Sequence, residues 1–276
     1  MTVRAALDQG TRLLDEAHVA VPRLTAEVLL CHALRREKAY LYSHPEDELT
    51  ELAWIHYGRY LNERLQGKPT QYITRRQEFY GREFRVTPDV LIPRPETEHV
   101  VETALRFLGP QSRVVDVGCG SGAIAVTLSL EKGIEVTATD ISARAIGVAR
   151  ENASRLGARA SFLAADVLAC FRSRSLDLVV SNPPYVGLDE KPSMQREVRD
   201  FEPEIALYGG ETGHEVYRRL VDEAERVLVP GGRIVFELGW RSLDPVTAML
   251  GRRWSSIETT SDLTGMPRAL SARYEG

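Results

Sequence analysis

An apolar segment that runs into a glycine-rich turn constrains this chain more than any other feature. Residues 113–115 are Arg-Val-Val, residues 116–122 have the sequence DVGCGSG, and an apolar stretch over residues 123–130 has helical character. Glycine adopts positive φ angles without steric cost, so such a turn brings bare backbone close to a ligand. The segment predicts a strand–turn–helix unit of an α/β fold with a binding site at the turn.

The spacing of the glycines separates two classes of cofactor. The pattern here is G-x-G-x-G, whereas dinucleotide-binding proteins have G-x-G-x-x-G. A nicotinamide-dependent dehydrogenase is therefore disfavoured. Taken alone, the pattern also fits an ordinary tight turn, so the prediction depends on the strands that follow.

Two further predicted strands, residues 135–139 and 160–164, end close to aspartates. Asp140 is placed to bind both hydroxyls of a ribose. Asp166 is placed to accept a hydrogen bond from an exocyclic amine such as that of adenine. Each aspartate could instead be a helix N-cap, and either Asp140 or Ser142 can cap the next helix.

A second motif follows the apolar segment 176–181, which is predicted to be a buried parallel strand. Its residues are Asn182, Pro183, Pro184 and Tyr185. The Asn182 side-chain carbonyl and the Pro183 backbone carbonyl can accept the two hydrogens of a planar –NH₂ group, and the prolines restrict the backbone that holds them. Tyr185 offers a flat face for stacking. The alternative is an ordinary strand-ending turn with two prolines.

Composition and charge exclude several classes of protein. The chain has 276 residues, of which 43% are hydrophobic, enough for one large and one small domain. It has no membrane-length apolar run and no signal-peptide pattern at its start. Its net charge is −4 and its pI is about 5.9, which disfavours direct binding of nucleic acid.

The cysteines and histidines indicate a reduced, cytoplasmic protein without a metal. The three cysteines, Cys31, Cys119 and Cys170, are odd in number and lack Cys-x-x-Cys spacing. The six histidines are scattered without metal-ligand spacing. We expect neither a structural zinc nor a catalytic metal.

Along the chain, the patterns predict three regions. Residues 1–69 are a helical domain, in which Leu24, Val28 and Cys31 share one apolar face and Trp54, Tyr57, Leu61 and Leu65 share another. Residues 70–90 form a linker with a β-hairpin over residues 77–86. Residues 91–276 carry a seven-stranded, mostly parallel sheet with helices on both faces. Later strands and helices are predicted at residues 211–228, 233–238, 242–250, 255–260 and 270–274.

The order of these motifs resembles the class I methyltransferases that use S-adenosylmethionine. More specifically, the chain resembles the peptide chain release factor glutamine methyltransferases of the HemK/PrmC type over nearly its whole length. The stretches that carry this second resemblance are residues 67–73, 78–81, 91–98, 201–203 and 230–232. One departure is Val167, where an aromatic residue would stack better on adenine.

The resemblance implies the cofactor and a set of site residues. The cofactor is S-adenosyl-L-methionine, and its predicted ligands are Gly118, Cys119, Gly120, Ser121, Gly122, Asp140, Ile141, Asp166, Val167 and Asn182. The predicted catalytic residues are Asn182, Pro183 and Tyr185, and the substrate-binding residues are Asn182, Pro183, Pro184 and Tyr185. Arg94 and Glu98 are assigned to the wall of the cofactor pocket. Glu202 is assigned either to ordering the loop after Tyr185 or to a plain structural role.

The resemblance also implies the reaction, which is methylation of the glutamine amide in the Gly-Gly-Gln motif of bacterial release factors. We expect a monomer that docks its partner through the helical domain. Three alternatives stay open. They are methylation of a glutamine in a large-subunit ribosomal protein, methylation of an amino group on a nucleic-acid base, and a non-catalytic adapter that keeps the cofactor fold. The intact motif at residues 182–185 argues against the adapter.

Overall fold

The computed structural model describes residues 1–276, which form two compact units. The first unit comprises Met1–Arg76 and Gln195–Phe201, and the second comprises Gln77–Met194 and Glu202–Gly276. The sequence placed the first boundary at residue 69, whereas the structure places it at Arg76. The return of residues 195–201 to the first unit was not predicted, because a single helical turn of polar sequence carries no periodic signal.

The first unit is a bundle of helices. They are α1 (Val3–Glu16), α2 (Pro22–Leu34), α3 (Lys38–Ser43), α4 (Glu51–Leu65) and α5 (Thr70–Thr74). Thr50 caps α4, because its side chain accepts a hydrogen bond from the Ala53 backbone N–H. Tyr57 and Leu61 of α4 are buried in the bundle core, as predicted.

Helix α2 has apolar residues on more than one face. Leu24 and Val28 are 48% and 38% exposed, while Ala26, Leu29 and Leu30 are buried. The face that Leu24 and Val28 share is therefore not the one that packs in the bundle core. Apolar residues occur on more than one face of α2, so spacing alone could not select the buried face.

The second unit contains the remaining elements. Its helices are α6 (Glu98–Leu105), α7 (Ala123–Lys132), α8 (Ala143–Leu156), α10 (Glu204–Leu207), α11 (Glu215–Val227) and α12 (Leu243–Met249), with α9 (Arg196–Phe201) assigned to the first unit. Its strands are β2 (Arg82–Arg85), β3 (Val114–Val117), β4 (Val136–Asp140), β5 (Ala160–Ala164), β6 (Leu176–Ser181), β7 (Val186–Gly187), β8 (Tyr208–Gly210), β9 (Leu228–Glu237), β10 (Trp254–Ser261) and β11 (Pro267–Tyr274), with β1 (Arg76–Phe79) beginning at the boundary. Short 3₁₀ helices span Pro95–Thr97 and Leu188–Ser193.

Seven of these strands form one sheet in the order β10-β11-β9-β6-β3-β4-β5. Strands β5, β4, β3, β6 and β9 are parallel, and β11 runs antiparallel to both of its neighbours. The chain moves outward from β3 through β4 to β5 and then returns to β6 on the other side of β3. The predicted fold class is confirmed, and its topological switch point lies between β3 and β6.

Alternating residues of the central strands pack on opposite faces of the sheet. In β6, Leu178 and Val180 belong to a core that includes residues of α6, α7 and α8. Val179 belongs to the core on the other face, which includes residues of α11 and α12. Helices therefore cover both faces, and the carboxyl ends of the parallel strands are left to form the site.

The hairpin of β1 and β2 packs into the second unit's core. Phe79 and Phe84 are buried there with ring centroids 6.0 Å apart. The Arg85 backbone N–H donates to Asn152 Oδ1 at 2.8 Å, and Asn152 Nδ2 donates to the Arg85 carbonyl at 2.9 Å. The predicted hairpin is present, but these contacts make it part of the larger unit's core.

Candidate active site

A cavity of about 270 Å³ lies at the switch point of the sheet. Val117 of β3 pairs in register with Ser181 of β6. The next residue of each strand is therefore Gly118 on one side and Asn182 on the other, and both line the cavity. The register of two neighbouring strands thus brings the two sequence motifs together at one crevice.

The glycine turn presents bare backbone to this cavity. Gly118 and Gly120 have φ angles of +71° and +52°, and a Cβ added at either would meet no atom within 4 Å. The Gly118 and Cys119 N–H groups donate to the Thr139 carbonyl at 2.8 and 2.9 Å. The turn is therefore anchored to β4 while its other side stays open for a ligand.

Not every residue of the turn faces the cavity. Cys119, Gly120 and Ser121 line it, but Gly122 does not. A Cβ on Gly122 would come within 3.1 Å of the Ala149 Cβ. Gly122 was predicted to contact the cofactor; in the structure it has a packing role, in which it permits the close approach of α7 and α8.

Asp140 supports the turn and also lines the cavity. Its Oδ2 accepts from the Gly120 N–H at 2.9 Å and its Oδ1 from the Ser142 N–H at 2.8 Å. Burial raises the pKa of Asp140, and the backbone N–H groups oppose that rise. Ser142 is the residue that caps α8, because its Oγ accepts from the Ala145 N–H at 3.2 Å. Ile141 is 56% exposed at the cavity and offers an apolar surface there.

The end of β5 adds Asp166 and Val167 to the cavity lining. Asp166 Oδ2 accepts from Arg219 Nη2 at 2.7 Å. Arg219 also lines the cavity. No local pattern predicts this pairing, because the two residues are 53 positions apart in the chain. Val167 is buried and has a φ of +50°, which is unusual for a β-branched residue.

Asp116 lies beneath the glycine turn and does not line the cavity. It is fully buried, and its Oδ2 accepts from the Ala125 N–H at 3.0 Å. Its Oδ1 has no hydrogen-bond partner. Burial raises the pKa of Asp116 to about 7. This carboxyl therefore holds the start of α7 at a cost in desolvation.

A chain of hydrogen bonds fixes the side chain of Asn182. Its Nδ2 donates to Thr97 Oγ1 at 3.1 Å, and Thr97 Oγ1 donates to Glu237 Oε2 at 2.5 Å. Thr97 and Glu237 are 4% and 3% exposed. Because Nδ2 is engaged in this way, Asn182 Oδ1 is the atom left to accept from a ligand. The sequence analysis missed Thr97 and Glu237, which are 140 residues apart in the chain.

Pro183 and Pro184 line the same cavity, but Tyr185 does not. Its hydroxyl donates to Glu237 Oε1 at 3.3 Å. Its ring lies against Gly239, where an added Cβ would come within 2.7 Å of Tyr185 Cδ2. Tyr185 instead lines a neighbouring cavity together with Trp240. The structure therefore places the Tyr185 ring outside the pocket in which it was predicted to stack.

Arg94 and Glu98 were assigned to the pocket wall, but neither lines the cavity. Arg94 pairs with the buried Glu202, which also accepts from the Ile92 N–H at 3.1 Å. Glu98 Oε1 accepts from the Tyr80 N–H at 2.8 Å and so anchors the hairpin. Glu202 thus holds the segment that precedes Thr97, which is a structural role.

No group of three or more His, Cys, Asp or Glu side chains is arranged to hold a metal ion. None of the helices combines the length and the apolar character that crossing a membrane requires.

Comparisons with known proteins agree with this architecture. A family model described as the PrmC N-terminal domain matches residues 5–74, and one described as the methyltransferase small domain matches residues 99–198. A methyltransferase from Pyrococcus furiosus superposes with a TM-score of 0.55 at 20% identity, over 72% of this chain and 91% of that one. This likeness confirms the class I methyltransferase fold.

Two relatives match over almost their whole length. The release factor glutamine methyltransferase of Koribacter versatilis is 44% identical over 99% of both chains. That of Nitratidesulfovibrio vulgaris is 41% identical over 99% of this chain and 95% of its own. Identity at this level over the complete chain, with both domain models in order, shows that the protein belongs to the release factor glutamine methyltransferase family.

Proposed function

We propose that the protein methylates the side-chain amide nitrogen of the glutamine in the Gly-Gly-Gln motif of bacterial peptide chain release factors, with S-adenosyl-L-methionine as the methyl donor. One observation carries the proposal. An amide oxygen, Asn182 Oδ1, is fixed by its neighbours at the same crevice as a glycine turn with bare backbone. The names of the full-length relatives support the choice of substrate.

The cavity residues fit the cofactor. Gly118 and Gly120 leave space where any other residue would place a Cβ, so the cofactor can closely approach the protein backbone at the turn. Asp140 lines the same space and provides carboxylate oxygens for the ribose hydroxyls. Ile141 and Val167 offer apolar surface to the adenine. When bound there, S-adenosylmethionine supplies an electrophilic methyl group on a sulfonium.

The acceptor side of the cavity fits a primary amide. Asn182 Oδ1 and the Pro183 carbonyl accept the two hydrogens of an –NH₂ group, which orients its nitrogen. The nitrogen of an amide is a poor nucleophile, since its lone pair is delocalised into the carbonyl. The two oxygens stabilise positive charge on that nitrogen as the new bond forms, and this favours the transition state over the ground state.

The site needs no strong base, because the nitrogen of the product amide loses its proton readily once methylated. No histidine or lysine lines the cavity. Burial raises the pKa of Cys119 well above its ordinary value, so this thiol stays neutral. Catalysis therefore rests on orientation and on electrostatic stabilisation by fixed oxygens.

The helical unit is proposed to dock the release factor. Val21, Leu24 and Val28 are exposed at helical spacing along α2 and at its N-terminus, and clustered apolar surface is typical of an interaction site. Replacing both Leu24 and Val28 with serine should raise the KM for release factor several-fold and leave kcat unchanged. The double substitution of Leu13 and Leu52, which are also exposed, is the matched control. An unchanged KM for the Leu24/Val28 variant would show that this surface does not dock the release factor.

One assay tests the reaction. The protein is incubated with methyl-labelled S-adenosylmethionine and, separately, with release factor, with large-subunit ribosomal proteins, and with DNA or RNA. We expect label in release factor, on the glutamine of Gly-Gly-Gln, and a far lower rate on a short peptide because remote binding energy is lost. Label only in ribosomal protein, or only in nucleic acid with a steep salt dependence, would contradict the proposal.

A further inference from the structure

Glu237 is a buried carboxyl that the mechanism above does not use. It ends β9 at the carboxyl edge of the sheet and is 3% exposed. Both of its oxygens accept hydrogen bonds, Oε2 from Thr97 and Oε1 from Tyr185. Neither donor is a cation, so the hydrogen bonds to this carboxylate come from hydroxyl groups. A buried carboxyl in this arrangement is costly and calls for an explanation.

In the hydrogen-bond chain from Asn182 through Thr97 to Glu237, the donor and the acceptor of each bond are fixed by the charge on Glu237. An ionised Glu237 can only accept, so the single hydroxyl hydrogen of Thr97 must point toward it. The Thr97 oxygen can then only accept from Asn182, which must present its –NH₂ group. Asn182 Oδ1 is left on the other side, facing the cavity. The charge on Glu237 therefore determines which end of the Asn182 amide a substrate meets.

We propose that Glu237 and Thr97 are positioning residues that hold the Asn182 amide with its oxygen toward the acceptor nitrogen, and that the enzyme works only while Glu237 is ionised. This inference rests on the proposed function of Asn182. A protonated Glu237 can donate to Thr97, whose hydrogen then turns to Asn182. Asn182 must in that case present Oδ1 to Thr97 and its –NH₂ to the cavity. Two –NH₂ groups would then face each other, and the acceptor amide would be rejected.

The surroundings of Glu237 set the ionisation of its carboxyl near neutral pH. Burial raises the pKa of Glu237 to about 7, and the hydrogen bonds from Thr97 and Tyr185 oppose the rise. Glu96, on the 3₁₀ turn, raises the pKa further, while Arg268 of β11 lowers it. Arg268 itself pairs with Asp262 at 2.7 Å and lies 3.8 Å from Glu96.

Two more groups near Glu237 stay neutral in this range. The Tyr217 hydroxyl of α11 donates to the Glu237 backbone carbonyl at 2.6 Å. Burial raises the pKa of both Tyr185 and Tyr217 above the ordinary value. Since the Glu237 pKa is raised, the carboxyl becomes ionised only as the pH rises through about 7, and methylation should rise over the same window.

The experiment compares Glu237→Gln, Thr97→Val and Thr97→Ser by kcat and KM for release factor across pH, with the affinity for S-adenosylmethionine measured by calorimetry. Glu237→Gln and Thr97→Val should lower kcat on the alkaline plateau by about tenfold or more and flatten its pH dependence. Cofactor affinity should stay within about twofold. Thr97→Ser keeps the hydroxyl and should therefore retain both the rate and the pH profile of the wild type.

Glu96→Gln is the matched control, since Glu96 is a partly exposed carboxylate on the same turn. It should keep the plateau rate and move the pH midpoint slightly lower, because one negative neighbour of Glu237 is removed. Glu237→Gln with the wild-type rate and pH profile would overturn the proposal. So would a Thr97→Ser variant as impaired as Thr97→Val.

A second measurement does not depend on activity or on the variants folding. In the ¹⁵N-labelled wild-type protein, the Asn182 side-chain amide resonances should shift as the pH crosses neutrality, because Glu237 controls the hydrogen bond that they make. Resonances that do not move would overturn the proposal. If the resonances move but the wild-type protein does not label release factor, the result supports the hydrogen-bond chain and contradicts the proposed substrate.

Discussion

The two sides of the cavity are built in different ways. The cofactor side is local: strand β3, the glycine turn and Asp140 form one compact segment, and the turn's N–H groups bond to Thr139 and Asp140. The acceptor side is assembled from three distant segments, since Asn182 reaches Thr97 and Thr97 reaches Glu237. The shape of the backbone determines the cofactor side of the cavity, and the orientation of side chains determines the acceptor side. Mutations should therefore separate binding from chemistry.

The largest expected effect is on the acceptor side. Asn182→Ala removes the fixed oxygen that is proposed to stabilise charge on the acceptor nitrogen, so single-turnover methylation should fall by about a hundredfold, ~2.7 kcal/mol. Cofactor affinity should change by no more than about threefold. Rapid-quench methylation and calorimetry on the same preparation check both numbers. A near wild-type rate would show that the Asn182 side chain does not act in the transition state.

A smaller effect is expected on the cofactor side. Asp140→Ala removes the proposed ribose partner and leaves the Gly120 and Ser142 N–H groups without their acceptor, so S-adenosylmethionine binding should weaken by ~1–3 kcal/mol. The methylation rate at saturating cofactor should change less. Asp140→Asn, which keeps one side-chain oxygen for Gly120, is the control and should lose less affinity. Unchanged calorimetric affinity in a folded Asp140→Ala protein would remove Asp140 from the site.

The smallest expected effect on activity concerns Asp116 beneath the turn, where the expected change is one of stability. The pKa of Asp116 is raised from 3.8 to about 7, so the folded state binds its proton more tightly than the unfolded state does. Its stabilising contribution is present below about pH 3.8 and is lost as the pH rises through about 7. Asp116→Asn keeps an acceptor for the Ala125 N–H and avoids the buried charge.

Urea denaturation across pH measures this effect. Above neutrality the Asp116→Asn variant should be more stable than the wild type, by on the order of 1 kcal/mol for each unit by which the Asp116 pKa is raised, and near pH 4 the difference should vanish. A variant that is less stable above neutrality would show that the charge on Asp116 contributes favourably to the fold. Cofactor affinity should not change, because Asp116 does not line the cavity.

The same contrast explains which predictions from the sequence succeeded. The seven strands were predicted from short segments that carry apolar or β-branched residues, and the structure confirms the sheet. The boundaries shifted by a few residues; β9, for example, begins at Leu228, earlier than residue 233. The buried face of α2 could not be predicted from the sequence, because hydrophobicity does not say which of two apolar faces meets a neighbour.

The sequence by itself determined the order of the elements, the positive-φ turn at Gly118 and Gly120, and an amide and a carbonyl at the end of β6. These features follow from local steric preference and from periodicity, so short segments encode them. Only the tertiary structure decided that Gly122 packs against α8, that Tyr185 lies outside the cavity, and that Glu237 is hydrogen-bonded to Thr97 and Thr97 to Asn182. Such roles depend on strand register and on contacts between distant segments, which no local pattern specifies.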